Sequence, residues 1–137
     1  MLVKSIKTLL VEDSAVLAER LRELVQLIPE IDLVAVVESE ATAVSLLHIG
    51  RIDVVILDLQ LREGTGIGVL KAIGTLARKP QIVVLTNQDP LIYQEIIQQS
   101  GADFFLDKAH DFGRLPSILG QIIGNLRNSN GVGLAPP

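Results

Sequence analysis

Five short runs of Val, Ile and Leu recur along the chain, at residues 6–11, 33–37, 53–57, 81–85 and 104–106, and none alternates with polar residues. A strand with one wet face alternates, whereas a strand buried on both faces reads as a continuous apolar run. Each run is followed by a segment of helical period. Leu17, Leu21, Leu24, Val25 and Ile28 share one face of a helix over 14–28, which Pro29 closes. A short helix over 40–49 ends at Gly50, where a C-terminal cap is expected. Ile67, Leu70, Ile73 and Leu76 mark a third helix over 66–78. Asp89-Pro90 starts a fourth that stops at Gly101, and Leu115, Ile118, Leu119, Ile122 and Leu126 mark the last.

Five strand–helix units of this kind imply an α/β fold, a doubly wound five-stranded parallel sheet covered on both faces. Of the doubly wound strand orders, 2-1-3-4-5 is the expected topology. The chain has 137 residues, enough for one domain. That domain is expected over 1–127, with the Asn-, Gly- and Pro-rich segment 128–137 as a disordered tail or the start of a linker.

Composition removes several function classes. There is no Cys, hence no disulfide framework or thiolate metal site, and His48 and His110 are too few for a His-rich one. Twelve Lys and Arg stand against 16 Asp and Glu, for a net charge of −4, with no basic stripe. Three Phe, one Tyr and no Trp offer no base-stacking platform. Direct nucleic-acid binding is therefore not expected. The N-terminus lacks a signal-peptide pattern, and no apolar run approaches the ~20 residues that span a bilayer, which points away from the membrane and to the cytoplasm.

In a doubly wound sheet the functional crevice lies beyond the C-terminal strand ends. Strand one runs into Glu12-Asp13, strand three into Asp58, strand four into Thr86 and strand five into Lys108. Strands one and three would be neighbours, roughly 5 Å apart, and three carboxylates that close repel one another unless a cation joins them. A hard divalent cation such as Mg²⁺ does this. Lys108 would start roughly 10 Å from Asp58, a gap that its long side chain could mostly close. Taken singly, each residue has an ordinary reading as well. Asp13 or Ser14 could simply cap the first helix, Thr86 could be a strand-end hydroxyl, and Lys108 a solvated surface residue.

Val-Glu-Asp-Ser, Ile-Leu-Asp58-Leu-Gln-Leu with Gly-Thr-Gly after it, Val-Leu-Thr86-Asn, and Gly-Ala-Asp-Phe-Phe-Leu-Asp-Lys108 together resemble the receiver domain of bacterial two-component response regulators. The resemblance covers residues 6 to about 127 and implies the flavodoxin- and CheY-like fold, with strand order 2-1-3-4-5. It implies that Asp58 accepts a phosphoryl group from a sensor histidine kinase or a phosphotransfer protein, as a carboxylate nucleophile. Asp13, Asp58 and the backbone carbonyl of Gln60 would hold Mg²⁺, or alternatively Mn²⁺, with Glu12 acting through a metal-bound water. Thr86 and Lys108 would contact phosphoryl oxygens. Phe105 would be an aromatic switch coupled to Thr86, while Gln60 and Gln88 would tune the lifetime of the phosphoryl group. The signal would leave through the face of the fourth helix, fifth strand and fifth helix, to a downstream protein or a second copy. Leu91, Ile92, Tyr93, Ile96 and Ile97 make the fourth-helix stripe wider than one buried face needs.

Three positions depart from the family pattern. Arg62 stands where Pro is frequent, Asn87 where a small residue is common, and Ala109 where Pro usually follows the Lys. They bear on loop geometry and phosphoryl lifetime and remove no reacting group. The leading expectation is a receiver-only signalling protein that catalyses its own phosphorylation and hydrolysis and is not a metabolic enzyme. The alternatives are a receiver-fold binding module independent of phosphorylation, and the receiver piece of a longer DNA-binding regulator. A flavin protein of similar topology would need a phosphate-cradling loop where this chain has Glu12-Asp13.

Overall fold

The computed structural model describes residues 5–87, 95 and 101–132, with side chains to 128. Five strands, β1 (Ile6–Val11), β2 (Ile31–Val37), β3 (Val54–Asp58), β4 (Gln81–Thr86) and β5 (Phe104–Asp107), form one parallel sheet in the order β2-β1-β3-β4-β5. The expected fold class and strand order are those observed. β3 is buried along its whole length, as its unbroken apolar run requires.

Alternate residues feed two cores. Leu10, Ile56 and Leu85 face a layer made by α1 (Ala15–Gln26) and the C-terminal helix (Leu115–Val132). Leu9, Val55 and Val84 face the other layer, made by α2 (Glu40–Ile49) and α3 (Gly66–Gly74). Each of α1, α2 and α3 starts at a hydroxyl. Ser14, Ser39 and Thr65 accept hydrogen bonds from the backbone N–H groups of Leu17, Thr42 and Gly68.

Several boundaries differ from the sequence reading. β2 begins two residues early, at Ile31. Its register against β1 shifts between Thr8 and Leu9, so β2 carries an extra residue there. α3 stops at Gly74, short of 78: the Thr75 hydroxyl donates to the Ala72 carbonyl oxygen at 2.7 Å, and Arg78 turns away to Asp53. Gly50 caps α2 with an extended backbone. The C-terminal helix continues to Val132, so 128–132, expected within the tail, are helical. No Pro falls in that stretch, since the next one after Pro116 in the helix's first turn is Pro136. The expected fourth helix, with Gln88 and the stripe from Leu91 to Ile97, lies outside the described residues apart from Glu95.

Candidate functional site

Register brings the acidic strand ends together. Val11 pairs with Leu57, so Glu12 and Asp58 are opposite each other as the chain leaves β1 and β3. Both side chains are buried, at 1% and 3% exposure. The backbone N–H of Ser14 donates to Glu12 Oε2 at 3.0 Å, and that of Gln60 to Asp58 Oδ1 at 3.0 Å. Ser14 also supplies the α1 cap, which leaves the Asp13 carboxylate available to the site.

Lys108 enters from two strands away. Its backbone N–H donates to the Thr86 carbonyl oxygen at 3.0 Å, continuing the β4–β5 ladder past its last pair, Thr86 with Asp107. From there Nζ lies 2.9 Å from Asp58 Oδ2 and 3.0 Å from Glu12 Oε1. Burial works against the ammonium charge, but the Asp58 and Glu12 carboxylates outweigh it and hold the Lys108 pKa above its ordinary value. Glu12 moves the other way for a carboxylate. Desolvation raises its pKa and Asp58 adds to the rise, and the Ser14 N–H and Lys108 offset them only in part.

Asp13 is tied to the loop after β3. The Arg62 backbone N–H donates to Asp13 Oδ2 at 2.7 Å, and the exposed guanidinium lies 3.8 Å from the same oxygen. Glu12, Asp13 and Asp58 each offer a carboxylate oxygen within 4.8 Å of the others. Glu12 Oε1 is buried, and the Lys108 ammonium 3.0 Å away is its charged neighbour. Three hard oxygen ligands at this spacing fit a divalent cation.

Sequence reasoning anticipated Glu12, Asp13, Asp58 and Lys108, and all four converge here. Thr86 is buried at the end of β4 beside this edge. Phe105 is half-buried on β5 and packs against the α2–α3 core. Gln60 is exposed, and its N–H is engaged with Asp58. Two contributors were missed. The Arg62 N–H is a backbone group that no residue type announces. Glu40, whose Oε1 accepts the Thr65 N–H at 2.8 Å, ties the start of α2 to the start of α3. The only signal for it was the glycine spacing Gly64, Gly66 and Gly68.

Comparison with known proteins agrees with this geometry. The family profile of the response regulator receiver domain matches residues 8–119. The chain belongs to the response regulator receiver-domain family. It is 30% identical over 117 residues to the nitrate/nitrite response regulator protein NarP of Escherichia coli (strain K12), a match covering 85% of this chain and 53% of that protein. The chain thus spans about half the length of that curated relative. Among solved structures it resembles the signal receiver domain of a Vibrio parahaemolyticus protein described as a Luxo repressor, with TM-score 0.82 and 26% identity over 93% of this chain and 97% of that one. It also resembles the receiver domain of sensor histidine kinase PA1611 from Pseudomonas aeruginosa PAO1, with TM-score 0.77 and 24% identity over 88% and 98%. That structure carries a magnesium ion coordinated in the active site cleft. Receiver domains work in two-component signalling, between histidine kinases and downstream effectors. No helix among the described residues is long and apolar enough to cross a membrane.

Proposed function

We propose that this receiver domain accepts a phosphoryl group on Asp58 from the phosphohistidine of a sensor kinase or phosphotransfer protein, in a reaction that requires Mg²⁺, or alternatively Mn²⁺. The observation that carries this reading is the Lys108 ammonium, 2.9 Å from Asp58 and 3.0 Å from Glu12, at one corner of a three-carboxylate cluster.

Asp13, Asp58 and the Gln60 carbonyl would hold the ion directly, and Glu12 through a water. When bound, the ion supplies positive charge against the incoming phosphoryl oxygens. Asp58 attacks phosphorus with one carboxylate oxygen. The new O–P bond forms as the donor's P–N bond breaks, and the electron pair leaves with the imidazole, which takes a proton from water. Lys108 transfers its contact from the free carboxylate to a phosphoryl oxygen. The Thr86 hydroxyl donates to another. This movement couples to Phe105, one strand away on β5, and so to the face formed by the expected fourth helix, β5 and the C-terminal helix. A downstream protein or a second copy reads that face. Gln60 and Gln88 set how fast water removes the phosphoryl group. The reaction belongs in the cytoplasm, where kinases of this kind present their phosphohistidine.

Intact-mass spectrometry after incubation with phosphoramidate tests this. One phosphoryl adduct that requires both Mg²⁺ and Asp58, and is absent in Asp58→Asn, is expected. No adduct in the native chain, with Mg²⁺ binding shown separately, would favour a module that works without phosphorylation.

A second reading, a receiver within a longer regulator, is supported by the match to only 53% of NarP. Immunoblotting the native gene product tests it: a band well above 14.8 kDa supports the longer protein.

A further inference from the structure

Gly68 is a weak helix former placed inside α3, and it needs a reason. A β-carbon at Gly68 would collide with the Glu40 carboxylate, and one at Gly64 with Glu40 Cβ. Gly64 also has φ +81, which favours glycine in its own right. The Glu40 side chain therefore lies across the first turn of α3, in space that glycines keep open. There its Oε1 accepts the Thr65 N–H at 2.8 Å. Its own N–H donates to the Glu63 carbonyl oxygen at 3.1 Å, and Ser39 forms a bridge to Glu63. One carboxylate thus sits at the N-terminal ends of two helices, where the helix dipoles favour negative charge.

What Glu40 holds is the loop from Leu59 to Thr65. That loop makes two bonds to the acidic cluster, Gln60 N–H to Asp58 Oδ1 and Arg62 N–H to Asp13 Oδ2. Its far end is the Thr65 cap, and its near end is pinned by the Gly66 N–H on the Leu59 carbonyl oxygen at 3.0 Å. At the far end the Glu40 carboxylate, on the Thr65 N–H, and the Glu40 backbone N–H, on the Glu63 carbonyl oxygen, fix the loop to α2. We propose that Glu40 is a positioning residue for the ion and phosphoryl site: it sets the loop whose backbone orients Asp13 and Asp58. This rests on the Mg²⁺-dependent reading above.

The test measures Mg²⁺ affinity by calorimetry, phosphorylation rate with phosphoramidate, and melting temperature. The chains are the native protein, Glu40→Gln, Glu40→Ala, Gly68→Ala, and the double variant Glu40→Ala with Gly68→Ala. The double variant fills the space that Glu40 leaves and adds a better helix former. It is expected to melt near the native protein yet bind Mg²⁺ about tenfold more weakly, as loss of a group that orients ligands does. Glu40→Gln keeps an oxygen for the Thr65 N–H and is expected to bind within about twofold of the native chain. Gly68→Ala displaces the carboxylate and is expected to weaken binding in the same direction as Glu40→Ala. Native affinity in the double variant, or a Glu40→Gln as weak as Glu40→Ala, overturns the proposal while the Asp58 reading stands. A native chain that binds no Mg²⁺ and takes no phosphoryl group overturns both.

Discussion

The Lys108 ammonium lies 2.9 Å from Asp58 Oδ2 and bridges to Glu12 across the gap between two neighbouring strands. It is the cation that lets two buried carboxylates coexist when no metal is bound. Removing it leaves them facing each other with less compensation. Lys108→Met is expected to lower stability by about 2 kcal/mol, below the usual cost of breaking a buried pair because the Lys side chain keeps 13% exposure. That corresponds to roughly 8 °C in Tm for a domain of this size. The Lys108 pKa is raised on folding, so this stabilisation is fully present below the ordinary Lys range and is lost only as pH rises through the raised value. Thermal melts at pH 7 with EDTA read the loss. The same variant should bind Mg²⁺ several-fold more tightly, because ion and ammonium compete for the same oxygens.

Glu12 gives the domain a pH dependence of opposite sense to that of an ordinary paired carboxylate. Burial raises its pKa above 4.5 in the folded chain. Between 4.5 and the raised value the folded state binds more protons than the unfolded state, so this contribution to stability fades as pH rises through that window. Other carboxylates titrate in the same range, and a comparison with Glu12→Gln cancels them. In EDTA, parent and variant should melt alike below pH 4.5. The variant should gain stability relative to the parent as pH rises through that window. Equal melting temperatures across the range would contradict the raised pKa.

The sheet was legible because its central strands, β3 above all, are buried on both faces and so carry no polar alternation. The site was legible because its acids follow directly on strands one and three, which the topology makes neighbours. Helix ends were less so: α3 closes at Gly74 through Thr75, and Arg78, which looked like its last residue, pairs with Asp53 at 2.6 Å. Backbone donors were the least legible. The Arg62 N–H on Asp13 depends on loop geometry, and so does the Glu40 contact, which only the spacing of small residues marks.

Two glycines should respond to the same substitution with opposite signs. A β-carbon at Gly66 would collide with the Asp58 carbonyl oxygen and Leu59 Cα, both backbone atoms that cannot swing aside. Gly66→Ala should cost about 2 kcal/mol and slow phosphoryl transfer, since the displaced atoms carry the acceptor. Gly120 sits on the exposed side of the C-terminal helix, where an added β-carbon would meet nothing within 4 Å. Gly120→Ala should therefore stabilise by about 0.5–1 kcal/mol through higher helix propensity and leave phosphorylation unchanged. Urea titration and the mass-spectrometric adduct assay separate the two effects.

Asp53 tests whether stability and chemistry occupy different ends of the sheet. It precedes β3, at the opposite end of that strand from Asp58. Its Oδ2 accepts the Lys7 N–H at 2.9 Å, and its Oδ1 meets Arg78 at 2.6 Å. The carboxylate thus ties β1 to the segment that leads into β4. Asp53→Ala leaves a backbone donor and a guanidinium without their acceptor, at a cost of about 1–3 kcal/mol. Denaturant unfolding should show that loss. The phosphorylation rate with a small donor, measured well below the melting temperature, should stay within about twofold of the parent, because no bond of Asp53 reaches the acidic cluster. A large fall in rate would mean that the two ends of β3 are coupled and that the site depends on the sheet edge beneath it.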